Sequence, residues 1–321
     1  VFLVIGFAFL MKGADFFVEG SSSIAKRLKV PPIIIGLTIV AMGTSLPETA
    51  VSVTASLVNN NELAVSNVVG SNIFNLMVVV GVCSILTPIL VQKETIKRDI
   101  PFSMICAFLL LGLGILAVGD KRGMTLGHLD GMILLGFFAG YIVAMIQSAM
   151  KARAAGKNVE IEGIEELEEE IGILSWPKSI LFIVGGAFAI AFGGDLTVDA
   201  ASRIAIDLGM SQTLVGLTIV SIGTSLPELV TSVVAARKNE VDMAVGNAVG
   251  SNIFNILMVL GVASAINPVA LIRENIIDIV ILIVFSLIVW IYAATKRKIS
   301  RKEGISMVCL YLIYAGYIIW R

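Results

Sequence analysis

Long apolar stretches separated by short polar turns follow one another along the whole chain. Three of them are Val30–Met42, Ile105–Val118 and Ile276–Ala294. An apolar helix of about 20 residues spans the hydrocarbon core of a bilayer. The pattern predicts an all-α membrane protein with ten transmembrane helices. We place them at about 1–27, 31–58, 69–87, 99–118, 126–149, 177–205, 211–237, 249–267, 274–294 and 303–320.

Two polar sequences interrupt this pattern, and each occurs twice. "VAMGTSLPETAVS" (Val40–Ser52) returns as "VSIGTSLPELVTS" (Val220–Ser232), and "NVVGSNIFN" (Asn67–Asn75) returns as "NAVGSNIFN" (Asn247–Asn255). The two halves of the chain align without gaps at an offset of 180 residues. Such agreement indicates an internal duplication.

The duplication predicts the domain organisation. We expect an N-terminal five-helix repeat over 1–150, an acidic cytoplasmic loop over 151–175 and a C-terminal five-helix repeat over 176–321. Because five is an odd number of crossings, the second repeat must enter the membrane with inverted topology. Inverted repeats around a midplane site are common in secondary transporters that work by alternating access.

Charge gives the orientation and excludes some partners. The chain is 57% hydrophobic and 15% charged, with a net charge of −1, so nothing suggests a nucleic-acid partner. The predicted partners are the lipid bilayer and small cations; no protein partner and no cofactor is implied. If both termini lie outside the cell membrane, most lysines and arginines near the span ends fall on the cytoplasmic side. The positive-inside rule favours this orientation. The cytoplasmic group is Lys26, Arg27, Lys29, Lys93, Lys97, Arg98, Lys151, Arg153, Lys157, Lys178, Arg237, Lys238, Lys296, Arg297, Lys298, Arg301 and Lys302, against Lys121, Arg122, Arg273 and Arg321 outside.

The candidate chemistry lies in the repeated polar sequences. Glu48 and Glu228 fall deep in their spans, where a charge without a partner is unfavourable. No lysine or arginine occurs at matching depth in the neighbouring spans, so a cation from solution is the expected partner. Pro47 and Pro227 deprive upstream carbonyls of their helical donors, which allows backbone oxygens near the break to face a cavity.

Further oxygen donors accompany each glutamate. They are the hydroxyls of Thr44, Ser45, Thr224 and Ser225, and the one-face rows Asn67–Ser71–Asn75 and Asn247–Ser251–Asn255. Carboxylate, carbonyl and hydroxyl oxygens suit hard cations such as Ca²⁺ and Na⁺ and argue against zinc or copper. The repeated Asp15, Glu19, Asp195 and Asp199 are interpreted as interfacial residues, and the seven glutamates between Glu160 and Glu170 as part of a solvated linker.

At these residues the sequence resembles the cation/Ca²⁺ exchanger superfamily, specifically prokaryotic Na⁺/Ca²⁺ exchangers. The two "GTSLPE" segments with their "GSNIFN" partners look like the α-repeats of that family. The resemblance implies an antiporter, not an enzyme. It also implies that the first and sixth spans slide across the remaining helices to alternate access.

The resemblance further implies a four-cornered arrangement of ion ligands. Glu48 and Glu228 would hold Ca²⁺, with backbone carbonyls from Thr44 and Thr224. Outer Na⁺ ions would use the hydroxyls of Ser71 and Ser251 and the carbonyls of Ala41 and Ser221, with Asn75 and Asn255 at the fourth corner. Some family members, including potassium-dependent exchangers, carry aspartate at one of those last positions. Here both are asparagine, which disfavours K⁺ co-transport and sets the charge of the site at −2.

Other functions stay open at this level. An H⁺/Ca²⁺ antiporter of the same fold is the main alternative, since a buried glutamate can also carry a proton. A cation channel would use a ring of glutamates, which channels usually build by oligomerisation. An intramembrane hydrolase would need a base beside a buried serine, and His128 is too far toward a span end for that role.

Overall fold

The computed structural model describes residues 1–57, 61–116, 124–154, 173–210 and 221–320. These residues form a helical bundle with two very short β-ladders. The helices are α1 (Phe2–Leu28), α2 (Pro32–Thr44), α3 (Leu46–Leu57), α4 (Ala64–Leu86), α5 (Thr95–Ile115), α6 (His128–Ala154), α7 (Trp176–Asp207), α8 (Ser221–Gly223), α9 (Leu226–Arg237), α10 (Val241–Ile266), α11 (Arg273–Lys296) and α12 (Arg301–Trp320). The strands are β1 (Ile89–Leu90), β2 (Thr125–Leu126), β3 (Val269–Ala270) and β4 (Lys298–Ile299).

The helices confirm a helical membrane protein. Seven of the described helices are long and apolar enough to cross a membrane, and α2 with α3, bent by 49°, would make an eighth. α1 coincides with the first predicted span, but Lys12, Asp15 and Glu19 interrupt its apolar sequence. Part of the predicted span 211–237 lies outside the described residues, as does the acidic segment Glu160–Glu170.

Several predicted span boundaries are wrong. α10 starts at Val241 rather than 249, and α4 includes Ala64 rather than starting at 69. Hydropathy alone excludes polar residues from a predicted span. In the structure these polar residues continue the helix, because their side chains have hydrogen-bond partners in the interior. Asn247, for example, is fully buried and donates to the backbone oxygen of Glu228. α6 extends through Ala154, so the first residues of the predicted loop 151–175 are helical.

The two β-ladders join loops from opposite halves of the chain. β1 pairs with β4 and β2 pairs with β3, both antiparallel, with Ile89 opposite Ile299 and Leu126 opposite Val269. Each pairing satisfies backbone groups in loops between two helices. The loops after α4 and α11 therefore lie together, and so do those after α5 and α10.

α1 and α7 pack closely along most of their length. A Cβ atom on Gly13 would lie 3.0 Å from the Gly186 oxygen, and one on Gly20 would lie 2.8 Å from the Ser179 oxygen. Glycine at these contacts lets the two backbones approach, as in other membrane helix pairs. α1 is also tied to the loop after α9, where Lys238 Nζ lies 3.5 Å from Asp15 Oδ1. Asp195 and Asp199 are exposed, and an interfacial position of these acidic residues stays a prediction.

Candidate ion-binding site

Each candidate glutamate lies in the first turn of a helix that begins inside the protein. α2 ends at Thr44, Ser45 has non-helical angles (φ −84°, ψ 14°), and α3 then starts at Leu46. Glu228 follows Ser225 (φ −93°, ψ 4°) in the same way at the start of α9. A proline is tolerated there because first-turn N–H groups have no helical acceptor. The positive end of a helix dipole therefore faces each carboxylate.

Both carboxylates are completely buried and lack a cationic partner in the described part of the chain. Glu48 and Glu228 are 0% exposed. The described ion pairs join Asp15 to Lys12 and Lys238, and Asp99 to Arg98. A buried charge without a counter-charge is strongly destabilising. The arrangement therefore calls for a cation that the described side chains do not supply.

Serine hydroxyls hold one oxygen of each glutamate. Ser45 donates to Glu228 Oε1 (2.8 Å) and Ser225 to Glu48 Oε1 (3.3 Å), so each half of the chain contacts the glutamate of the other. Within a half, Ser71 donates to Glu48 Oε1 (3.2 Å); its counterpart Ser251 donates to Glu228 Oε1 (3.4 Å). The second oxygen, Oε2, of each glutamate has no hydrogen-bond partner among the described residues. Each carboxylate thus keeps one oxygen available to a cation.

The predicted fourth corner lies at two matched π-helical turns. The π turns Asn75–Val79 and Asn255–Val259 interrupt α4 and α10, and each begins at the candidate asparagine. π turns often occur at functional sites. Both asparagines are fully buried, but their contacts differ.

The amide of Asn255 is held, whereas that of Asn75 is not. Asn255 Nδ2 donates to Asn72 Oδ1 (3.2 Å) and lies 3.4 Å from Ser71 Oγ. Neither amide atom of Asn75 has a partner among the described residues, and the same is true of Asn255 Oδ1. The two equivalent asparagines therefore have different hydrogen-bond contacts.

The contacts of the candidate threonines and backbone carbonyls do not show whether they face an ion. The Thr44 hydroxyl donates to Asn247 Oδ1 (3.0 Å), and Thr224 donates to Asn67 Oδ1 (3.4 Å). The Ala41 carbonyl accepts the Ser45 N–H at 3.1 Å. Ser221 begins α8 directly after residues outside the described part of the chain. Ion coordination by the carbonyls at 41, 44, 221 and 224 stays a prediction.

The structure adds polar residues that we did not assign to the site. They are Ser52, Ser232, Asn72 and Asn252. Asn67 donates to the Ser52 hydroxyl and Asn247 to the Ser232 hydroxyl. Asn72 and Asn252 each donate from Nδ2 to the other's backbone oxygen at 3.1 Å, and so join α4 to α10. Their identical positions in the two "GSNIFN" segments were the available signal.

The unpartnered atoms define what the site can bind. They include Glu48 Oε2, Glu228 Oε2, Asn75 Oδ1 and Asn255 Oδ1. In the described part of the chain no cluster of three or more histidine, cysteine or acidic side chains is present. A closed site with carboxylate and amide oxygens suits a hard cation.

The comparisons with known proteins agree with this chemistry. The family model described as "Sodium/calcium exchanger protein" matches residues 1–147 and 178–320. Sodium/calcium exchanger MaX1 of Methanosarcina acetivorans is 33% identical over 336 residues, covering 97% of this chain and 96% of that protein. Inner membrane protein YrbG of Escherichia coli is 32% identical, over 99% of this chain and 94% of that protein. A structure of the sodium-calcium exchanger NCX_Mj, soaked with Na⁺ and Sr²⁺, superposes with a TM-score of 0.81 at 31% identity and covers 98% of this chain and 96% of that one.

Proposed function

The chain belongs to the sodium/calcium exchanger protein family and is a membrane ion antiporter rather than an enzyme; from that premise we propose that it exchanges Ca²⁺ for Na⁺ at a site between Glu48 and Glu228. The observation that carries the proposal is the pair of completely buried carboxylates, each with one unpartnered oxygen among the described residues. Ca²⁺ and Na⁺ are then substrates, not resident cofactors.

The ligand assignment follows the oxygen donors around these glutamates. We propose that Ca²⁺ lies between Glu48 and Glu228, with the carbonyls of Thr44 and Thr224. Outer Na⁺ ions would use Ser71 and Ser251 with the carbonyls of Ala41 and Ser221, while Asn75 and Asn255 form the fourth corner. Ser45 and Ser225 cross between the halves and orient the carboxylates. Two negative charges balance one Ca²⁺ or two Na⁺, so a third Na⁺ would make exchange electrogenic.

The driving ion can be tested directly in reconstituted vesicles. We expect ⁴⁵Ca²⁺ uptake into Na⁺-loaded vesicles to exceed uptake into choline-loaded ones, because Na⁺ leaving down its gradient powers Ca²⁺ entry. A pH gradient, acidic inside, should add nothing at equal Na⁺. Protein-free vesicles measure the leak. Uptake driven by the pH gradient alone would instead favour the H⁺/Ca²⁺ antiporter.

We further propose that ten spans form two inverted five-helix repeats, 1–150 and 176–321, around the site. The crossed β-ladders support this proposal. When the second repeat is inverted, the loop after the third helix of one half lies on the same side of the membrane as the loop after the fourth helix of the other. β1–β4 and β2–β3 join loops of this kind. α1 and α7 would move together across the remaining helices, and their close glycine packing supports a paired movement.

The orientation makes a separate prediction. Single cysteines replacing Lys93 or Lys298 should react with a membrane-impermeant reagent only after the membrane is opened, whereas one replacing Leu208 should react on intact cells. All three positions are exposed. Because Cys309 is exposed while Cys83 and Cys106 are buried, the background should carry Cys309→Ala. The reverse labelling pattern would place both termini in the cytoplasm.

A further inference from the structure

One π-helical turn directly precedes the candidate ligands of the first half. In the turn Gly36–Val40, the Ala41 N–H donates to the Gly36 oxygen five residues back and to the Thr38 oxygen. A regular α-helix would instead direct that N–H to the Leu37 oxygen. The turn therefore releases the Leu37 carbonyl from its usual partner, four residues before Ala41.

A side chain from another helix donates a hydrogen bond to the Leu37 carbonyl. The hydroxyl of Tyr141, on α6, donates to the Leu37 oxygen at 3.1 Å, and the bond is buried. The Tyr141 ring is held by Phe102 of α5, with stacked centroids 5.4 Å apart at an interplanar angle of 7°. The hydroxyl is thus fixed by its surroundings rather than free to rotate away.

The same arrangement recurs at a π turn away from the candidate ligands. In Thr95–Asp99, the Ile100 N–H donates to the Thr95 oxygen, which releases the Ile96 carbonyl. Trp290 on α11 donates its indole N–H to that oxygen at 2.9 Å. An aromatic donor from a neighbouring helix therefore stabilises both turns, and the Trp290 pair provides a natural control.

The first of these two turns packs against a helix that carries a candidate ligand. The backbone of Leu37 packs against Gly250, where an added Cβ would lie 2.7 Å from the Leu37 Cα. Ser251, which donates to Glu228, is the next residue along α10. Leu37 is thus held between Tyr141 and the helix that carries Ser251, while Ala41 and Thr44 follow it in sequence.

We propose that Tyr141 is a positioning residue that sets cation affinity by holding the Leu37 carbonyl and thereby the π turn. Without the Tyr141 hydroxyl, the Leu37 carbonyl loses the hydrogen bond that replaces its missing helical donor. Relaxation to a regular helix would rotate the backbone that leads to Ala41 and Thr44 and misdirect their oxygens. This inference rests on the proposed function.

The test compares Tyr141→Phe with Trp290→Phe in Na⁺-driven ⁴⁵Ca²⁺ uptake. Tyr141→Phe keeps the ring and its stacking on Phe102. Losing one buried hydrogen bond corresponds to about a fivefold change in an equilibrium. We expect the KM for Ca²⁺ to rise by about that factor, with the maximal rate within about twofold of the parent. Trp290→Phe should lower thermal stability and raise this KM less than Tyr141→Phe does.

Three outcomes would overturn the proposal: an unchanged KM in Tyr141→Phe, an equal rise in Trp290→Phe, or a fall in maximal rate alone. If Tyr141→Phe cannot be purified folded, Phe102→Leu loosens the same hydroxyl without removing it. It should raise the KM in the same direction, and an unchanged KM there would also overturn the proposal. A parent protein without Na⁺-driven Ca²⁺ uptake would instead contradict the proposed function, which separates the two failures.

Discussion

Glu228→Gln is expected to abolish Ca²⁺ exchange, with a loss of at least about a hundredfold, while the protein remains folded. Removing one partner of a buried charge pair typically costs about 3–5 kcal/mol of interaction free energy. The amide oxygen of glutamine can still accept the Ser45 and Ser251 hydroxyls that now bind Glu228 Oε1. Only the unpartnered Oε2, which we assign to the cation, is replaced by a donor. Glu48→Gln should behave in the same way.

A control and a second readout make this result specific. Glu274 also lies in the first turn of a helix but is exposed, so Glu274→Gln should exchange Ca²⁺ like the parent. Binding to the folded state raises apparent stability. Added Ca²⁺ should therefore raise the melting temperature of the parent and of Glu274→Gln but not that of Glu228→Gln. Near-normal flux in a folded Glu228→Gln protein would remove the central carboxylate from the mechanism.

The pairing of the site residues could be predicted because the sequence is duplicated. A polar residue that recurs at a fixed offset inside an apolar span must be buried twice, and burial demands a partner twice. This reasoning identified Glu48 with Glu228 and Asn75 with Asn255 without any coordinates. Hydrogen bonds through Ser71 connect Glu48 to Asn255. Ser45 of the first half donates to Glu228, whereas Asn75 is buried without a hydrogen-bond partner among the described residues.

Local geometry could not be predicted in the same way. Nothing in the composition of Gly36–Val40 or Asn75–Val79 indicates a π turn, because its irregular hydrogen bonds depend on neighbouring helices. The crossed β-ladders join residues about 145 and 210 positions apart, with two residues on each strand, too short for a periodic signal. The unequal contacts of Asn75 and Asn255 were hidden for a related reason: identical sequences predict identical surroundings.

That inequality predicts that aspartate will act differently at the two equivalent positions. Asn255→Asp replaces an N–H donor that faces Asn72 Oδ1 with an oxygen, so two acceptors would oppose each other. A proton on the new carboxyl restores the donor, and the two nearby glutamates also favour that proton. Exchange by Asn255→Asp should therefore resemble the parent at low pH and depart from it as the pH rises and the proton is lost.

Asn75→Asp has no such hydrogen bond to restore, because neither amide atom of Asn75 has a partner among the described residues. No neighbouring acceptor then requires a proton on the new carboxyl, so Na⁺ or K⁺ is expected to compete with H⁺ for the added charge, which makes the site −3. Ca²⁺ transport by this variant should become newly sensitive to Na⁺ or K⁺ and change less with pH than transport by Asn255→Asp. The measurement is ⁴⁵Ca²⁺ flux across a pH series at several Na⁺ and K⁺ concentrations, with melting temperature as the check on folding. If both variants match the parent in pH profile and in cation dependence, these asparagines do not face the ions, and the fourth corner of the site must be sought elsewhere.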